Sequence, residues 1–599
     1  MKRSPHGHAF GDSILLEKTS RHRFSYEDQS AVSFRGPFLL IMIIFFMGVL
    51  LFQLISLQVV AGPYYRGLSD QNRIRTTTIY APRGILFDRN GTPLVFNEPG
   101  FRQTIDGKTQ LLSHKEATEK LAQGKILEID SLRRYPYKEA FTHVLGYVSQ
   151  ISEEELREDR YASYKPGDII GKFGIEKQYE NLLSGVDGKA LSEVDATGKN
   201  IRTLGQTDPT SGKDISLTLD ASLQQAAFLA MANITKGAVV ATTPEGEVLA
   251  LVSKPSFDPN LFTMGGTYKK EGTESAYFTV EEILNDSQNQ PFLNRAIAGT
   301  YPPGSTFKLI TAAKGLEDKA IDERFLVKDI GILQVGAFSF GNWYFLQYGK
   351  TEGEVNVVTA IKRSNDIFFY KLGEKLGVSR ISQMAENFGL GKPLGIDLSG
   401  EAAGLVPSDS WKQKAIGEQW YLGDTYHYSI GQGYLLTTPL QVNSWTQVIA
   451  NGGTLYNPHL LKNSKFEIRN SKFLSEKTIS LIREGMVESC SPGGVAWPLF
   501  EFKVQSAKIK IDGKNFLIPK PSTTSASLIK KDSVKVAIAC KTGTAQHGGE
   551  KDLPHAWITL FAPAYDPQIV LTVLAESSGE GSNVAAPIAK KILENWFSR

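Results

Sequence analysis

An uninterrupted apolar run near the N-terminus constrains this chain more than any other feature. Residues 38–57 include only two polar members, Gln53 and Ser56. At about 1.5 Å of rise per residue, a helix of this length crosses the hydrocarbon core of a bilayer. The polar leader before it is too long for a cleaved signal peptide, so we predict an uncleaved transmembrane anchor over residues 36–60. The alternative is a buried core helix.

The remainder has the composition of a large and mostly soluble protein. Of the 599 residues, 41% are hydrophobic and 22% are charged, which suffices for two or more globular units with full cores. The net charge of +3 comes without a basic stripe, so no nucleic-acid partner is expected. A polar tail is predicted over residues 1–35, and a linker near 208–212 separates a domain over 61–212 from a larger one over 213–599.

A serine and a lysine behind a helix breaker form the first candidate site. Residues 301–308 read Tyr-Pro-Pro-Gly-Ser-Thr-Phe-Lys, and no further breaker occurs before Gly315. Ser305 is therefore predicted in the first turn of a buried helix, with Lys308 one turn further on the same face. A serine hydroxyl needs an adjacent base, and a lysine becomes one when burial lowers its pKa. The helix N-terminus would suit an oxyanion, but a lone pair of this spacing also arises by chance.

A second motif, Lys541-Thr542-Gly543-Thr544, follows the β-branched run 534–540 and is therefore predicted on a strand. Gly543 leaves room for an extended peptide to pair along the strand edge. Lys541 offers a cation to a substrate carboxylate, and Thr542 and Thr544 offer hydroxyls beside it.

A third element, Ser364-Asn365-Asp366, is a polar break before the helical run 367–372. Taken alone, the tripeptide is more simply interpreted as a helix N-cap.

In this order, the three elements resemble the Ser-x-x-Lys, Ser-x-Asn and Lys-Thr-Gly motifs of penicillin-binding proteins and serine β-lactamases. The resemblance extends from about residue 61 to the C-terminus. Residues 81–91 resemble the opening pedestal motif of class B penicillin-binding proteins, and residues 171–188, with Gly174-Ile175-Glu176-Lys177, resemble the second. Residues 217–220 resemble the entry to the transpeptidase domain. Further segments are most similar to penicillin-binding protein 2, the elongation type: 294–296, 430–433, 438–441 and 541–546.

The resemblance implies an α/β fold of the penicillin-binding and serine β-lactamase type. Its transpeptidase domain would be an α/β sandwich with an all-helical lobe, carried on a β-rich pedestal over residues 61–212. The strand-like runs and the last helix fit this fold; they are 237–241, 247–252, 557–560, 569–574 and 587–596.

The resemblance also implies a D,D-transpeptidase mechanism without a cofactor or a metal. Ser305 would attack the penultimate D-Ala carbonyl of a peptidoglycan stem peptide, and Lys308 would take its proton. Ser364 would relay a proton to the leaving amine. Asp366, where the family has Asn or Asp, would orient this serine and lysine. The remaining roles fall to the second motif: Lys541, Thr542, Gly543 and Thr544 would bind the terminal carboxylate, with backbone N–H groups of Ser305 and Thr544 holding the oxyanion.

By the same resemblance, the protein would be a single-pass protein of the bacterial inner (cytoplasmic) membrane, with a cytoplasmic tail and an extracytoplasmic catalytic domain. β-Lactams would acylate it, and D-Ala-D-Ala carboxypeptidase activity is a possible side reaction. Expected partners are a multi-span glycan polymerase of the SEDS family and elongation scaffold proteins, because the chain has no glycosyltransferase segment. A division-type transpeptidase, a β-lactamase and a β-lactam sensor stay open as alternatives.

Three weaker sequence patterns concern the cysteines, the histidines and a Ser/Thr/Pro-rich segment. Cys490 and Cys540 are the only cysteines, and an even pair in an exported domain permits a disulfide. Because Cys540 precedes Lys541 on one strand and so points away from the site, we expect no bridge. Histidines such as His547 and His555 lack metal-ligand spacing. The Ser/Thr/Pro-rich residues 519–527 predict a solvated loop.

Overall fold

A computed structural model describes residues 35–105, 108–125, 127–195, 200–264, 268, 276–463, 468–505, 533–549 and 552–598. The chain divides into two compact units, residues 1–76 with 191–205, and residues 77–190 with 206–599. The predicted boundary at residue 212 falls inside the second unit and stays a prediction. The predicted loop over 519–527, and the predicted tail apart from Arg35, lie outside the described residues.

The apolar run of the first unit is helical, as predicted. Helix α1 (Arg35–Ile55) continues through a π-helical turn (Ser56–Val60), and α2 (Gly62–Arg73) follows. The 26 residues of Arg35–Val60 are long and apolar enough to cross a membrane, and none of the most apolar stretch is buried. This exposure argues against a core helix, because a core helix would bury such side chains against the protein.

The N-terminal part of the chain beyond the anchor is rich in short strands. They are β1 (Ile74–Ile79), β2 (Leu86–Phe87), β3 (Pro93–Ile105), β4 (Lys108–Leu112), β5 (Glu128–Arg134), β6 (Val148–Gln150), β7 (Ile169–Gly171), β8 (Gly188–Val194) and β9 (Asn200–Thr207). Four short helices accompany them, α3 (His114–Ala122), α4 (Thr142–Leu145), α5 (Gly174–Gln178) and α6 (Glu180–Leu183). In the main sheet of this part β10 (Ile215–Ser216), β2, β3 and β4 lie in that order, and β5 pairs with β3.

Buried ion pairs join the two motifs that resemble pedestal signatures. Arg83, from the first motif, contacts Glu176 of the second at 2.8 Å and Glu180 at 2.9 Å. Arg133 on β5 contacts Glu176 from the other side at 2.7 Å. Each of these four side chains is nearly inaccessible to water. Because an unpaired buried charge is costly, the cluster holds the motifs in one arrangement.

The larger C-terminal part combines one central sheet with many helices. Its strands are β11 (Gly237–Thr242), β12 (Val248–Lys254), β13 (Val327–Asp329), β14 (Ile332–Val335), β15 (Phe338–Gly341), β16 (Gly353–Val355), β17 (Leu455–Tyr456), β18 (Ile468–Asn470), β19 (Lys503–Gln505), β20 (Ser533–Lys535), β21 (Ala539–Ala545), β22 (His555–Ala562) and β23 (Ile569–Ala575). Its helices are α7 (Ala221–Ala230), α8 (Asn260–Thr263), α9 (Val280–Asn285), α10 (Lys308–Glu317), α11 (Trp343–Tyr348), α12 (Val357–Arg363), α13 (Asp366–Asn387), α14 (Asp409–Ala415), α15 (Leu422–Ser429), α16 (Pro439–Asn451), α17 (Glu476–Ser489) and α18 (Ala586–Phe597).

The central sheet has the antiparallel order β12-β11-β23-β22-β21, which leaves β21 at an edge. Apolar residues of α7 and α18 pack with one set of its side chains, including Leu223 and Ile592. The other set joins the core of α10, α13 and α16, including Trp445 and Trp557. The sheet therefore lies between helical layers, and the predicted α/β sandwich with a helical lobe is confirmed.

Two local expectations are wrong. The run 534–540 is not one strand: β20 pairs with β19, and β21 begins only at Ala539. Cys490 and Cys540 form a disulfide, with their Cα atoms 5.8 Å apart. Cys540 belongs to the core on the α18 side of the sheet, as does Cys490 at the end of α17. Because the Cys540 side chain points away from the candidate site, it lies in the same core as Cys490 and bonds to it.

Candidate active site

Ser305 lies in a tight turn that packs against strand β21 and leads into α10. The turn, Gly304–Phe307, is a 3-10 helix, and the α-helix begins only at Lys308. Gly304 has a φ of +55°, which favours glycine, and a Cβ there would lie 2.9 Å from the Thr544 carbonyl oxygen. Ser305 is half-buried. Within the described ranges no side chain hydrogen-bonds to its hydroxyl, so this oxygen is open to a reaction partner.

Lys308 is fully buried one turn after Ser305, and its ammonium group has three partners. Nζ donates to Asp366 Oδ1 at 2.7 Å, to the Ser364 carbonyl at 2.8 Å and to Ser364 Oγ at 3.2 Å. Lys308 therefore contacts the Ser364 motif. Within the described ranges its Nζ makes no hydrogen bond to Ser305, so its predicted role as the base for this serine stays a prediction.

Ser364 has the left-handed backbone conformation, with φ +54° and ψ +38°, at the end of α12. Such a conformation is uncommon for a residue other than glycine and often marks a functional site. Asn365 caps α13 by accepting the Phe368 N–H at 2.9 Å, and Asp366 is the first residue of that helix. The tripeptide is thus an N-cap and also places two polar side chains beside Lys308.

Lys541 approaches the same serine from edge strand β21. Its Nζ donates to Ser364 Oγ and to the Thr542 carbonyl, each at 2.9 Å. Ser364 Oγ therefore accepts from both lysines, which lie on the helical lobe and on the sheet. This oxygen provides a hydrogen-bonded path between the two sides of the site.

Burial lowers the pKa of both lysines. For Lys308 desolvation is the largest effect, and the neighbouring Asp366 carboxylate opposes it. Desolvation and the charge of Lys308 place the pKa of Lys541 well below its usual range, with Asp366 again opposing. A lysine with a lowered pKa provides neutral amine at a lower pH than free lysine, as a general base requires.

The rest of the Lys541 motif follows the strand edge toward solvent. Thr542 and Gly543 are buried, whereas Thr544 is exposed. The Thr544 hydroxyl accepts the Gly581 N–H at 3.4 Å, and its carbonyl accepts from Gln432 Nε2 at 3.4 Å. A Cβ on Gly543 would lie 3.0 Å from the Pro303 carbonyl oxygen, so glycine allows the Gly304–Phe307 turn to pack against the strand.

A buried network that no sequence pattern predicted holds Asp366. Asp329 Oδ2 accepts from the side-chain amides of Asn342 at 2.8 Å and Asn365 at 2.9 Å. Asn342 Oδ1 accepts the Asp366 N–H at 3.2 Å, and Asp366 Oδ2 accepts the Trp343 N–H at 3.0 Å. Neither Asp329 nor Asn342 belongs to a recognisable motif, so no sequence signal could have found them.

The imidazole rings of His547 and His555 stack with their centroids 3.8 Å apart, and each ring hydrogen-bonds to Ser577. Burial and the proximity of His547 lower the pKa of His555 to about 4. Across the described part of the chain, no group of three His, Cys, Asp or Glu residues is arranged to hold a metal ion.

Comparisons with known proteins agree with this geometry. A family model for the penicillin binding protein transpeptidase domain matches residues 237–594, and one for the penicillin-binding protein dimerisation domain matches residues 124–217. The chain is 32% identical to peptidoglycan D,D-transpeptidase MrdA of Escherichia coli (strain K12), over 95% of this chain and 93% of that protein.

Two solved structures are similar throughout. Penicillin-binding protein 2 from Helicobacter pylori, in its complex with MreC, is 27% identical with a TM-score of 0.70, covering 87% of this chain and 98% of that one. A chain of a peptidoglycan synthase complex, described as coordinating polymerisation and crosslinking, is 28% identical with a TM-score of 0.70, covering 94% and 98%.

Proposed function

Because this chain belongs to the penicillin-binding proteins, as a D,D-transpeptidase of the penicillin-binding protein 2 type, we propose that Ser305 is the nucleophile with which it crosslinks peptidoglycan during cell-wall elongation. One observation carries the assignment: two buried lysines, Lys308 and Lys541, meet at Ser364 Oγ beside a turn that leaves the Ser305 hydroxyl open.

In the first half-reaction, Ser305 Oγ attacks the carbonyl of the penultimate D-Ala. Lys308, in its neutral form, takes the hydroxyl proton, and the new C–O bond yields a tetrahedral oxyanion. The proton then passes through Ser364 to the leaving nitrogen as the amide C–N bond breaks and D-Ala leaves. Asp366, held by the Asn342 and Trp343 contacts, keeps Lys308 in position for this transfer.

The second half-reaction transfers the acyl group to an amine of a neighbouring stem peptide. The amine nitrogen forms the new amide bond, the ester bond to Ser305 breaks, and the nitrogen's proton returns to Ser305 Oγ through Lys308. In both halves, the N–H groups of Ser305 and Thr544 are the proposed oxyanion donors. The close approach of Gly304 to Thr544 supports this pairing.

The predicted anchor helix and the relatives support a proposal for where this protein is located and which partners it binds. We assign the chain to the bacterial inner membrane, single-pass, with the catalytic domain on the extracytoplasmic side. The H. pylori relative was solved with MreC, and another relative in a peptidoglycan synthase complex that coordinates polymerisation and crosslinking. We propose corresponding partners here, an elongation scaffold protein and a multi-span glycan polymerase of the SEDS family.

Depleting the protein in its own host tests the cellular role. We expect a rod-shaped cell to become round, because side-wall crosslinking would stop while septation continues. Microscopy with a septal marker measures this, and a copy encoding Ser305→Ala should fail to restore the rod shape while a wild-type copy restores it. Filaments with blocked septa would instead identify a division enzyme and would leave the chemistry unchanged.

Thr544→Val tests carboxylate binding at the strand edge. A hydrogen bond to a charged group contributes about 1.5–3 kcal/mol, so acylation by a carboxylate-bearing thioester substrate should fall roughly tenfold or more. The methyl ester of the same substrate should lose much less. Second-order acylation rates on both substrates give the comparison.

Thr207→Val, which removes a hydroxyl from the exposed strand β9, is the matched control. Equal losses on the acid and on its ester would refute a carboxylate contact for Thr544.

A further inference from the structure

A carboxylate, Glu580, lies at the rim of the candidate site, where neutral amides bond to it. It is half-buried, and its two oxygens accept from neutral amides, Gln347 Nε2 at 2.9 Å and Asn583 Nδ2 at 3.0 Å. Among the described residues, no lysine, arginine or histidine forms an ion pair with it. The negative charge of Glu580 is therefore available to a cationic ligand.

Two sets of contacts connect this carboxylate to residues of the candidate site. Gly581, the next residue, donates its N–H to the Thr544 hydroxyl at 3.4 Å. Gln347 lies on α11, whose first residue, Trp343, donates its N–H to Asp366. The Gln347–Glu580 hydrogen bond thus links the strand edge to the helix that contacts Asp366.

The charges of the site differ between its interior and its rim. Lys308 and Lys541 lie inside and favour the terminal carboxylate of a donor peptide. A primary amine is protonated near neutral pH, so Lys541, in the protonated form that binds a carboxylate, repels an approaching acceptor. Glu580 is the group at the rim that would attract it.

We propose that Glu580, held by Gln347, is part of an acceptor subsite that binds the protonated amine of the incoming stem peptide. This inference rests on the proposed transpeptidase function and names the subsite for its second substrate. Glu580 binds the ammonium group, which releases one proton to solvent before the neutral amine attacks the ester carbonyl; the donor peptide and penicillin occupy the Lys541 side and do not need Glu580. The carboxylate thereby favours aminolysis over hydrolysis of the acyl-enzyme.

The test compares three nucleophiles that compete for one acyl-enzyme. The full-length protein in detergent is acylated by a carboxylate-bearing thioester donor. The acyl-enzyme is offered water, hydroxylamine, which is uncharged at neutral pH, or a synthetic lysine-containing stem peptide that lacks D-Ala-D-Ala. Glu580→Gln should lower aminolysis by the stem peptide about tenfold, as expected for a lost charge-assisted contact. Penicillin acylation, hydrolysis and hydroxamate formation should stay within about twofold of wild type.

The salt dependence of aminolysis and a matched control variant show whether the charge of Glu580 or the shape of its side chain is responsible. Added NaCl should weaken aminolysis in the wild type more than in Glu580→Gln, because an exposed ion pair is screened. Glu594→Gln, which removes an exposed carboxylate from α18, should change nothing. Unchanged aminolysis in Glu580→Gln, or an equal loss with hydroxylamine, would overturn the subsite. A wild-type protein that forms the acyl-enzyme but transfers to neither amine would instead overturn the transpeptidase function itself.

Discussion

Ser305→Ala is expected to abolish covalent labelling by a fluorescent penicillin. The hydroxyl is the only proposed nucleophile, and removing a catalytic serine costs on the order of 10⁶-fold in rate. Because this hydroxyl makes no side-chain hydrogen bond within the described ranges, the fold should be unaffected, with stability within about 0.5 kcal/mol of wild type. Intact-mass spectrometry and a thermal melt of the same sample measure both outcomes.

Ser364→Ala is the matched control, since this serine lies in the same site and bonds to both lysines. It should acylate more slowly but still carry the adduct, and peptide mapping should locate that adduct on Ser305. A penicilloyl adduct on the Ser305→Ala protein would reject Ser305 as the nucleophile. In the wild type, fast release of the adduct with steady hydrolysis of the penicillin would favour the β-lactamase alternative.

The fold could be predicted from the sequence where local patterns decide it. Strands β11, β12, β22 and β23 are short β-branched runs that are buried on both faces, and the sequence marked all four. The anchor is apolar throughout, and lipid would supply its surroundings. In each case the residues themselves determine the structure, so distant contacts were not needed.

Features that depend on contacts between residues far apart in the sequence could not be predicted. Asp329 lies on a short strand 36 residues before Asn365, and only the folded lobe brings their side chains together. The Cys490–Cys540 bridge was missed because the direction of Cys540 on its strand says nothing about where α17 ends. Similarly, the run 534–540 gave no sign that β19 would pair with its first residues.

The candidate site depends partly on local sequence patterns and partly on long-range contacts. The i, i+3 spacing of Ser305 and Lys308 could be interpreted locally, as could the strand position of Lys541. The meeting of both lysines at Ser364 Oγ could not, because Ser364 has a left-handed backbone conformation that nothing in the tripeptide requires.

Lys308→Met is expected to lower penicillin acylation by roughly 10²- to 10⁴-fold, the usual contribution of a general base. In the wild type, the acylation rate should rise with pH, because only the neutral amine accepts the Ser305 proton. Burial lowers the pKa of Lys308, so this rise should occur at a lower pH than for a free lysine. In the variant the rise should disappear. Stopped-flow acylation rates across pH measure both effects.

Two further variants separate loss of the base from loss of structure. Lys314→Met is the matched control, because Lys314 lies on the same helix α10, is also buried and contacts Asp318 at 2.9 Å. Lys308→Met leaves Asp366 without its cation, which destabilises a buried site. Adding Asp366→Asn removes both charges, and this double variant should recover thermal stability without recovering acylation.

Lys541 is the rival base, because burial and the charge of Lys308 also lower its pKa. The i, i+3 spacing from Ser305 favours Lys308, and the pH profile decides between the two lysines. If Lys308→Met acylates within tenfold of wild type and keeps the rise with pH, while Lys541→Met loses that rise, the base is Lys541. Ser364 Oγ, which accepts from both lysines, would then carry the proton in the opposite direction.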